Sequence, residues 1–179
     1  VILWTRVTPL DGLVAAIPVR WRIARDVALL DVAGEGMALA TPEADYTVKL
    51  DALGLAPGQA YYYQFSVGEQ RSPLGRSRTA PVGSVDRLRF AFVTCGDYAR
   101  GLFNAYRRVA ERSDLQAVVH LGDYIYENAL QDGVRPQFPA RETVTLEDYR
   151  LRYATLRSDA DLQELHRQHP LIWVWDDHE

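Results

Sequence analysis

The sequence holds a single cysteine, Cys95, among 179 residues. One thiol excludes an internal disulfide, and it excludes a structural zinc site, which needs further Cys or His at short spacing. No apolar run approaches the roughly 18 residues that span a bilayer, and no charged segment followed by an apolar stretch opens the chain as an export signal would. Basic excess is also missing: the net charge is −4, without the stripe of Lys and Arg typical of nucleic-acid binding. There are no internal repeats and no low-complexity tract. What is present is 47% apolar residues, enough to bury the core of one large domain or two small ones. Residues 1–7 already read as a strand, so the chain is expected to begin inside a domain, and the missing signal carries no information about export.

Residues 1–80 alternate short β-rich runs with turn residues. The runs are 1–7, 18–25, 45–50, 60–67 and 76–80, and Asp11-Gly12, Gly34-Glu35-Gly36 and Pro57-Gly58 are read as punctuation between them. Segments 18–25 and 45–50 show the period of two expected of half-buried antiparallel strands, which predicts an all-β sandwich. The stretch Leu55-Ala56-Pro57-Gly58-Gln59-Ala60-Tyr61 resembles the fibronectin type III turn, in which a tyrosine hydroxyl folds back onto the upstream backbone. Tyr61 stands at the matching position, and Trp21 is expected as the core tryptophan of the facing sheet of this fibronectin or immunoglobulin-like domain.

Residues 81–87 have no periodicity and suit an interdomain link. From residue 88 onward the pattern changes to α/β. Residues 88–94 read as a strand, and 101–112 as a helical stretch with Leu102, Phe103, Tyr106, Val109 and Ala110 on one side. Residues 117–121 form an apolar strand that ends at Gly122-Asp123, and a polar loop covers 128–141. Helical stretches follow at 146–156 and 159–168, with Asp159 as N-cap of the second and Pro170 as its stop. Residues 171–175 are apolar at every position, as a central parallel strand must be when helices cover both faces. Strand, helix, strand, helices, strand implies crossovers onto one parallel sheet.

Each of these strands ends in side chains able to hold a metal: Cys95-Gly96-Asp97, then Gly122-Asp123-Tyr124-Ile125-Tyr126-Glu127, then Asp176-Asp177-His178-Glu179. Open α/β sheets bind ligands beyond the carboxyl ends of their strands, so the three clusters are expected to converge. So much negative charge in one place calls for a cation. A thiolate, carboxylates, a phenol and an imidazole suit two unlike metals better than one closed zinc site. Two other readings of Cys95 compete: a nucleophile, for which Arg100 stands one position short of the cysteine-phosphatase spacing and Asp97 would repel the anion, and a buried inert thiol. His120, two residues before Gly122, is expected to pack within the sheet.

At these residues the sequence resembles the alkaline phosphatase D (PhoD-type) branch of the calcineurin-like metallophosphoesterases. The likeness runs through Leu3-Trp4-Thr5-Arg6, Tyr61-Tyr62-Tyr63, Gly75-Arg76-Ser77-Arg78-Thr79-Ala80-Pro81, Phe103-Asn104-Ala105-Tyr106-Arg107, His120-Leu121-Gly122-Asp123-Tyr124-Ile125-Tyr126-Glu127, Asp148-Tyr149-Arg150 and Trp175-Asp176-Asp177-His178-Glu179. It implies that residues 88–179 are the first half of an α/β metallophosphoesterase domain. It further implies that Cys95, Asp123 and Tyr126 bind Fe3+, that Asp123 bridges to a second site filled by Ca2+ or another divalent metal, and that Asp177 belongs to that second site. His178 matches the histidine beside the metals that supports the leaving-group oxygen. The implied activity is hydrolysis of phosphate mono- or diesters through a metal-activated water, in an exported, extracytoplasmic parent protein, with this chain inactive by itself. Two departures stand out: Asp97 where the family commonly has Asn, and the lack of counterparts for the family's last Asp and His ligands. The alternative is a surface-binding module with a vestigial catalytic fold.

Overall fold

The computed structural model describes residues 1–10, 15–129 and 132–179. The expected Asp11-Gly12 turn and part of the 128–141 loop lie outside the described residues. Contacts divide the chain into two compact units, Val1–Val85 and Asp86–Glu179.

The first unit contains β1 (Ile2–Arg6), β2 (Ile17–Ala24), β3 (Val32–Ala40), β4 (Thr47–Asp51), β5 (Ala60–Val67), β6 (Gln70–Arg71) and β7 (Gly75–Arg78). β1 and β4 make one antiparallel sheet, and β3, β2, β5 and β6 make another in that order, with β7 also on β5. Alternation along β2 sends Ile17, Val19 and Ile23 inward, where they meet Leu3 and Val48 of the smaller sheet and Tyr61 and Phe65 of β5. Each such aliphatic contributes about 1.5–3 kcal/mol by leaving water. Tyr61 is fully buried, and its hydroxyl accepts the Ala56 amide at 2.9 Å, the fold-back expected of it.

The Gly34-Glu35-Gly36 segment is not a turn: it lies in the middle of β3. Its glycines are there because Trp21, directly opposite Gly36 in the register, lies flat across them. A Cβ on Gly36 would stand 2.9 Å from the indole Nε1, and one on Gly34 would stand 3.5 Å from the far edge of the ring. Trp21 is only partly buried against the core, and it lies in the same sheet as Tyr61, not in the facing one.

The second unit contains β8 (Phe90–Val93), α1 (Asn104–Ala110), β9 (Ala117–His120), α2 (Leu146–Leu156), α3 (Ala160–Gln168) and β10 (Leu171–Trp173). Its sheet runs β10, β9, β8 with both pairings parallel, as the element order predicts. Asp159 caps α3 by accepting the amides of Asp161 and Leu162, and Thr145 and Asp148 form a capping box on α2. α1 starts only at Asn104, so Leu102 lies outside the helix and is exposed, while Phe103 and Tyr106 enter the core.

Ala91, Val118 and Leu171 share one face of the sheet and join Phe103, Tyr106, Leu162 and Leu165 in the core. The opposite face is open among the described residues. β10 is an edge of the sheet among the described residues, and Phe92, Ile172 and Val174 are more than half exposed. The described helices α1 to α3 supply apolar side chains to the other face.

Candidate metal centre

Because β8, β9 and β10 are parallel, their carboxyl ends lie along one edge of the sheet, and the loops that leave them are stitched together. The Cys95 amide donates to the Gly122 carbonyl at 3.2 Å, and the Val174 amide donates to the His120 carbonyl at 3.1 Å. Cys95 and Asp123 both adopt left-handed backbone, with φ of 56° and 53°. Such conformations cost non-glycine residues about 1–3 kcal/mol and collect at functional sites. Gly122, at φ 105°, permits a close approach: a Cβ there would stand 2.5 Å from the Asp176 Cβ.

This backbone brings one donor atom each from Asp123, Asp177 and His178 within 4.8 Å of one another. Asp123 is buried. Its Oδ2 accepts the Tyr126 hydroxyl at 3.0 Å, and its Oδ1 is buried with no hydrogen-bond partner among the described residues. An orphaned carboxylate oxygen among acidic neighbours is costly unless a cation satisfies it. Burial, the Asp123 hydrogen bond and the nearby Cys95 together raise the Tyr126 pKa well above the ordinary phenol value. Hard carboxylates, a phenol and an imidazole fit a hard cation.

His178 is held by Glu127, whose Oε2 lies 2.8 Å from its Nδ1. That contact raises the His178 pKa above its ordinary 6.5 and lowers that of Glu127. The Tyr126 ring lies beside the imidazole, with centroids 4.4 Å apart. Cys95 stands outside the trio. It is exposed, and its Sγ lies 3.2 Å from the Thr94 hydroxyl, so a buried inert thiol does not describe it. Asp97 turns back on its own loop and accepts the Ala99 and Arg100 amides. Those amides are what a cysteine nucleophile would need for an anion, so the phosphate-loop reading fails on geometry as well.

His120 packs inside the sheet as expected. It is fully buried; its Nδ1 accepts the Gly122 amide at 3.3 Å, and its Nε2 lies 3.2 Å from the Tyr106 hydroxyl. That hydroxyl presses on Gly96, where a Cβ would stand 2.4 Å away. Two side chains of the site were named in the sequence clusters without being given a role. Glu127 orients His178, and Glu179 accepts the Tyr124 amide at 2.7 Å and the Asp176 amide at 2.9 Å. Only their position beside Tyr126 and His178 could have marked them.

A family model described as PhoD-like phosphatase matches residues 90–179, and one described as PhoD-like phosphatase, N-terminal domain, matches residues 1–81. The chain belongs to the PhoD-like phosphatase family. It is similar to alkaline phosphatase D of Bacillus subtilis (strain 168), 39% identical over 191 aligned residues that take in 100% of this chain and 33% of the relative. A solved structure of PhoD matches with a TM-score of 0.94 and 38% identity, over 99% of this chain and 36% of that one. The chain therefore spans about a third of the length of these relatives. In this PhoD-like chain a cleft of about 160 Å³ opens beside the centre, lined by Asp97, Arg100, Tyr126, Asn128, Gln137 and His178. A larger groove of about 660 Å³ belongs to the sandwich unit and is lined by Arg20, Met37, Glu69 and Arg71 among others. It gathers no metal-competent cluster among the described residues.

Proposed function

We propose that the full-length protein is a metal-dependent phosphoesterase that hydrolyses phosphate mono- or diesters, with the loops after β8, β9 and β10 as part of its active site. The observation that carries this reading is the unpartnered, buried Oδ1 of Asp123, set within 4.8 Å of donors from Asp177 and His178. Asp123, Tyr126 and Cys95 would hold one cation and Asp123 and Asp177 a second, assigned to Fe3+ and Ca2+ by the family resemblance. Bound cations would supply charge neutralisation to the phosphoryl oxygens and lower the pKa of the attacking water.

The chain's own groups do the rest. Glu127 fixes Nδ1 of His178, which leaves Nε2 free to give a proton to the departing alkoxide. Its raised pKa keeps His178 in the acid form to higher pH. The cleft from His178 to Arg100, Asn128 and Gln137 would receive the leaving-group side of the ester. In the same reading, the two-sheet unit is a fibronectin-like domain and residues 88–179 are the first half of a metallophosphoesterase domain. An extracytoplasmic location follows from the family alone, and no helix among the described residues is long and apolar enough to cross a membrane.

The test is elemental analysis of the purified full-length protein together with release of nitrophenol from aryl phosphoesters. Iron and calcium with turnover are expected, along with a visible phenolate-to-iron band that disappears in Tyr126→Phe. Protein that binds no metal and hydrolyses nothing would leave the surface-binding alternative. A band that survives Tyr126→Phe would remove the phenolate from the ligand set.

A further inference from the structure

Arg152 is the most deeply buried cation among the described residues, at 2% exposure on α2; its hydrogen bonds go to no carboxylate, and Asp97, Glu127 and Asp148 act on it only through space. All of its partners are backbone carbonyls. Nε donates to Phe138 at 3.2 Å. Nη1 donates to Tyr126 and, at 3.3 Å, to Asn128. Nη2 donates to Pro139 at 2.8 Å and to Arg141 at 3.2 Å. A buried, unpaired charge is an expensive way to pack a helix when leucine would serve. The planar guanidinium is the only side chain whose fixed fork of donors can hold this many acceptors, and lysine cannot reproduce it.

The carbonyls come from two separated stretches of chain, 126–128 and 138–141, which Arg152 joins. Two further bonds fasten the same junction: the Thr143 amide to the Glu127 carbonyl at 2.8 Å, and Gln137 Nε2 to the Asn128 carbonyl at 2.9 Å. The Tyr126 peptide is the pivot. On one side it carries the phenol that donates to Asp123, and on the other it leads to the carboxylate that holds His178. Moving this one carbonyl would displace both.

The geometry points to Arg152 as the positioning residue of the centre, gripping the Tyr126 and Asn128 carbonyls against those of 138–141 and so setting where the Tyr126 phenol and the Glu127 carboxylate stand. This rests on the phosphoesterase reading above. Arg152 donates only to backbone carbonyls and does not line the cleft. Its role is to keep a ligand and the partner of the proton donor in register.

The experiment compares the full-length protein with its Arg152→Lys and Arg152→Ala variants, measured well below their melting temperatures. Metal content, kcat and KM on an aryl phosphoester, the visible band, and hydrogen exchange at the Thr143 amide are all followed. Both variants should lose about 10- to 100-fold in kcat or metal content, as outer-shell substitutions do, with KM changed by less than about threefold. The band should shift and the Thr143 amide should exchange faster. Millimolar guanidinium should restore rate to Arg152→Ala and not to Arg152→Lys. Variants that melt earlier yet keep wild-type kcat, metal content and band would overturn the assignment, leaving Arg152 a stability residue only. So would failure of both variants to yield folded protein at low temperature. A wild type without metal or turnover sinks the phosphoesterase reading itself, and it does so before any variant is compared.

Discussion

In the sandwich unit the buried side chains are apolar with the exception of Ser77, among the described residues, whereas the α/β unit buries His120, Asp123, Gln137, Thr143, Asp148, Arg152 and His169. The left-handed non-glycine residues divide in the same way. Leu29, Asp45 and Tyr46 sit in turns between strands of the first unit, while Cys95 and Asp123 sit at the ends of parallel strands in the second. Turn strain serves only to reverse the chain. Strain and buried polarity at a strand end carry a cost that, in the function proposed above, a bound ion or substrate would offset. The contrast separates a unit optimised for packing from one that holds unsatisfied groups in readiness.

That contrast can be broken most sharply at Asp123. Asp123→Asn in the full-length protein should lower phosphoester turnover about a thousandfold, the several kcal/mol that metal-assisted charge stabilisation supplies. Metal-free protein should melt no lower than wild type, because an orphaned carboxylate has been removed. Calorimetry that shows large destabilisation instead would make Asp123 a packing residue. Gly36→Ala probes the other unit. Its methyl would meet the Trp21 indole at 2.9 Å, so denaturant unfolding should show a loss of about 1–3 kcal/mol from overpacking, with kcat unchanged.

Glu127→Gln should cost about tenfold in kcat, part of the contribution of general acid catalysis. The sign of its pH effect is fixed: Glu127 holds the His178 pKa above 6.5, so without it the basic limb of the rate profile moves to lower pH. A profile that does not move would mean that another group donates the proton. The smallest effect is expected at Asp148, whose carboxyl is held below its ordinary 3.8 by the Thr145 amide first and then that of Val144. A lowered folded pKa stabilises above 3.8, and the contribution disappears as pH falls through the folded value. Asp148→Asn should therefore be less stable than wild type near neutral pH, and the gap should close on acidification in a pH series of melting temperatures.

Much of this was legible in the sequence because it rests on local rules. β-rich runs gave β1, β2, β4, β5 and β7, those of β2 and β4 with a period of two, and Asp159 and Pro170 bracketed α3. Tyr61 announced its own hydrogen bond through the spacing of the residues before it. β3 was missed because glycine is normally punctuation, and its reason here is a tryptophan on the neighbouring strand that no window along the chain can see. The apolar run 171–175 predicted a strand, and Leu171–Trp173 form one. At the centre, residue types and strand ends pointed to three clusters, and the family resemblance singled out Cys95, Asp123, Tyr126, Asp177 and His178 within them. Arg152, 26 residues beyond Tyr126, carried no signal, because its partners are carbonyls and carbonyls have no letter in a sequence.

Glu179 spans the gap between two loops with one oxygen on each: Oε1 on the amide of Tyr124, beside Asp123, and Oε2 on the amide of Asp176, beside Asp177. The side chain thus works as a gauge whose length sets the separation of those loops. Aspartate, one methylene shorter, cannot touch both amides without drawing Asp123 and Asp177 towards each other. Glutamine matches the length but offers only one acceptor, so it must release one loop. The tolerance of the centre to error is therefore written in a carboxylate that need never touch the chemistry.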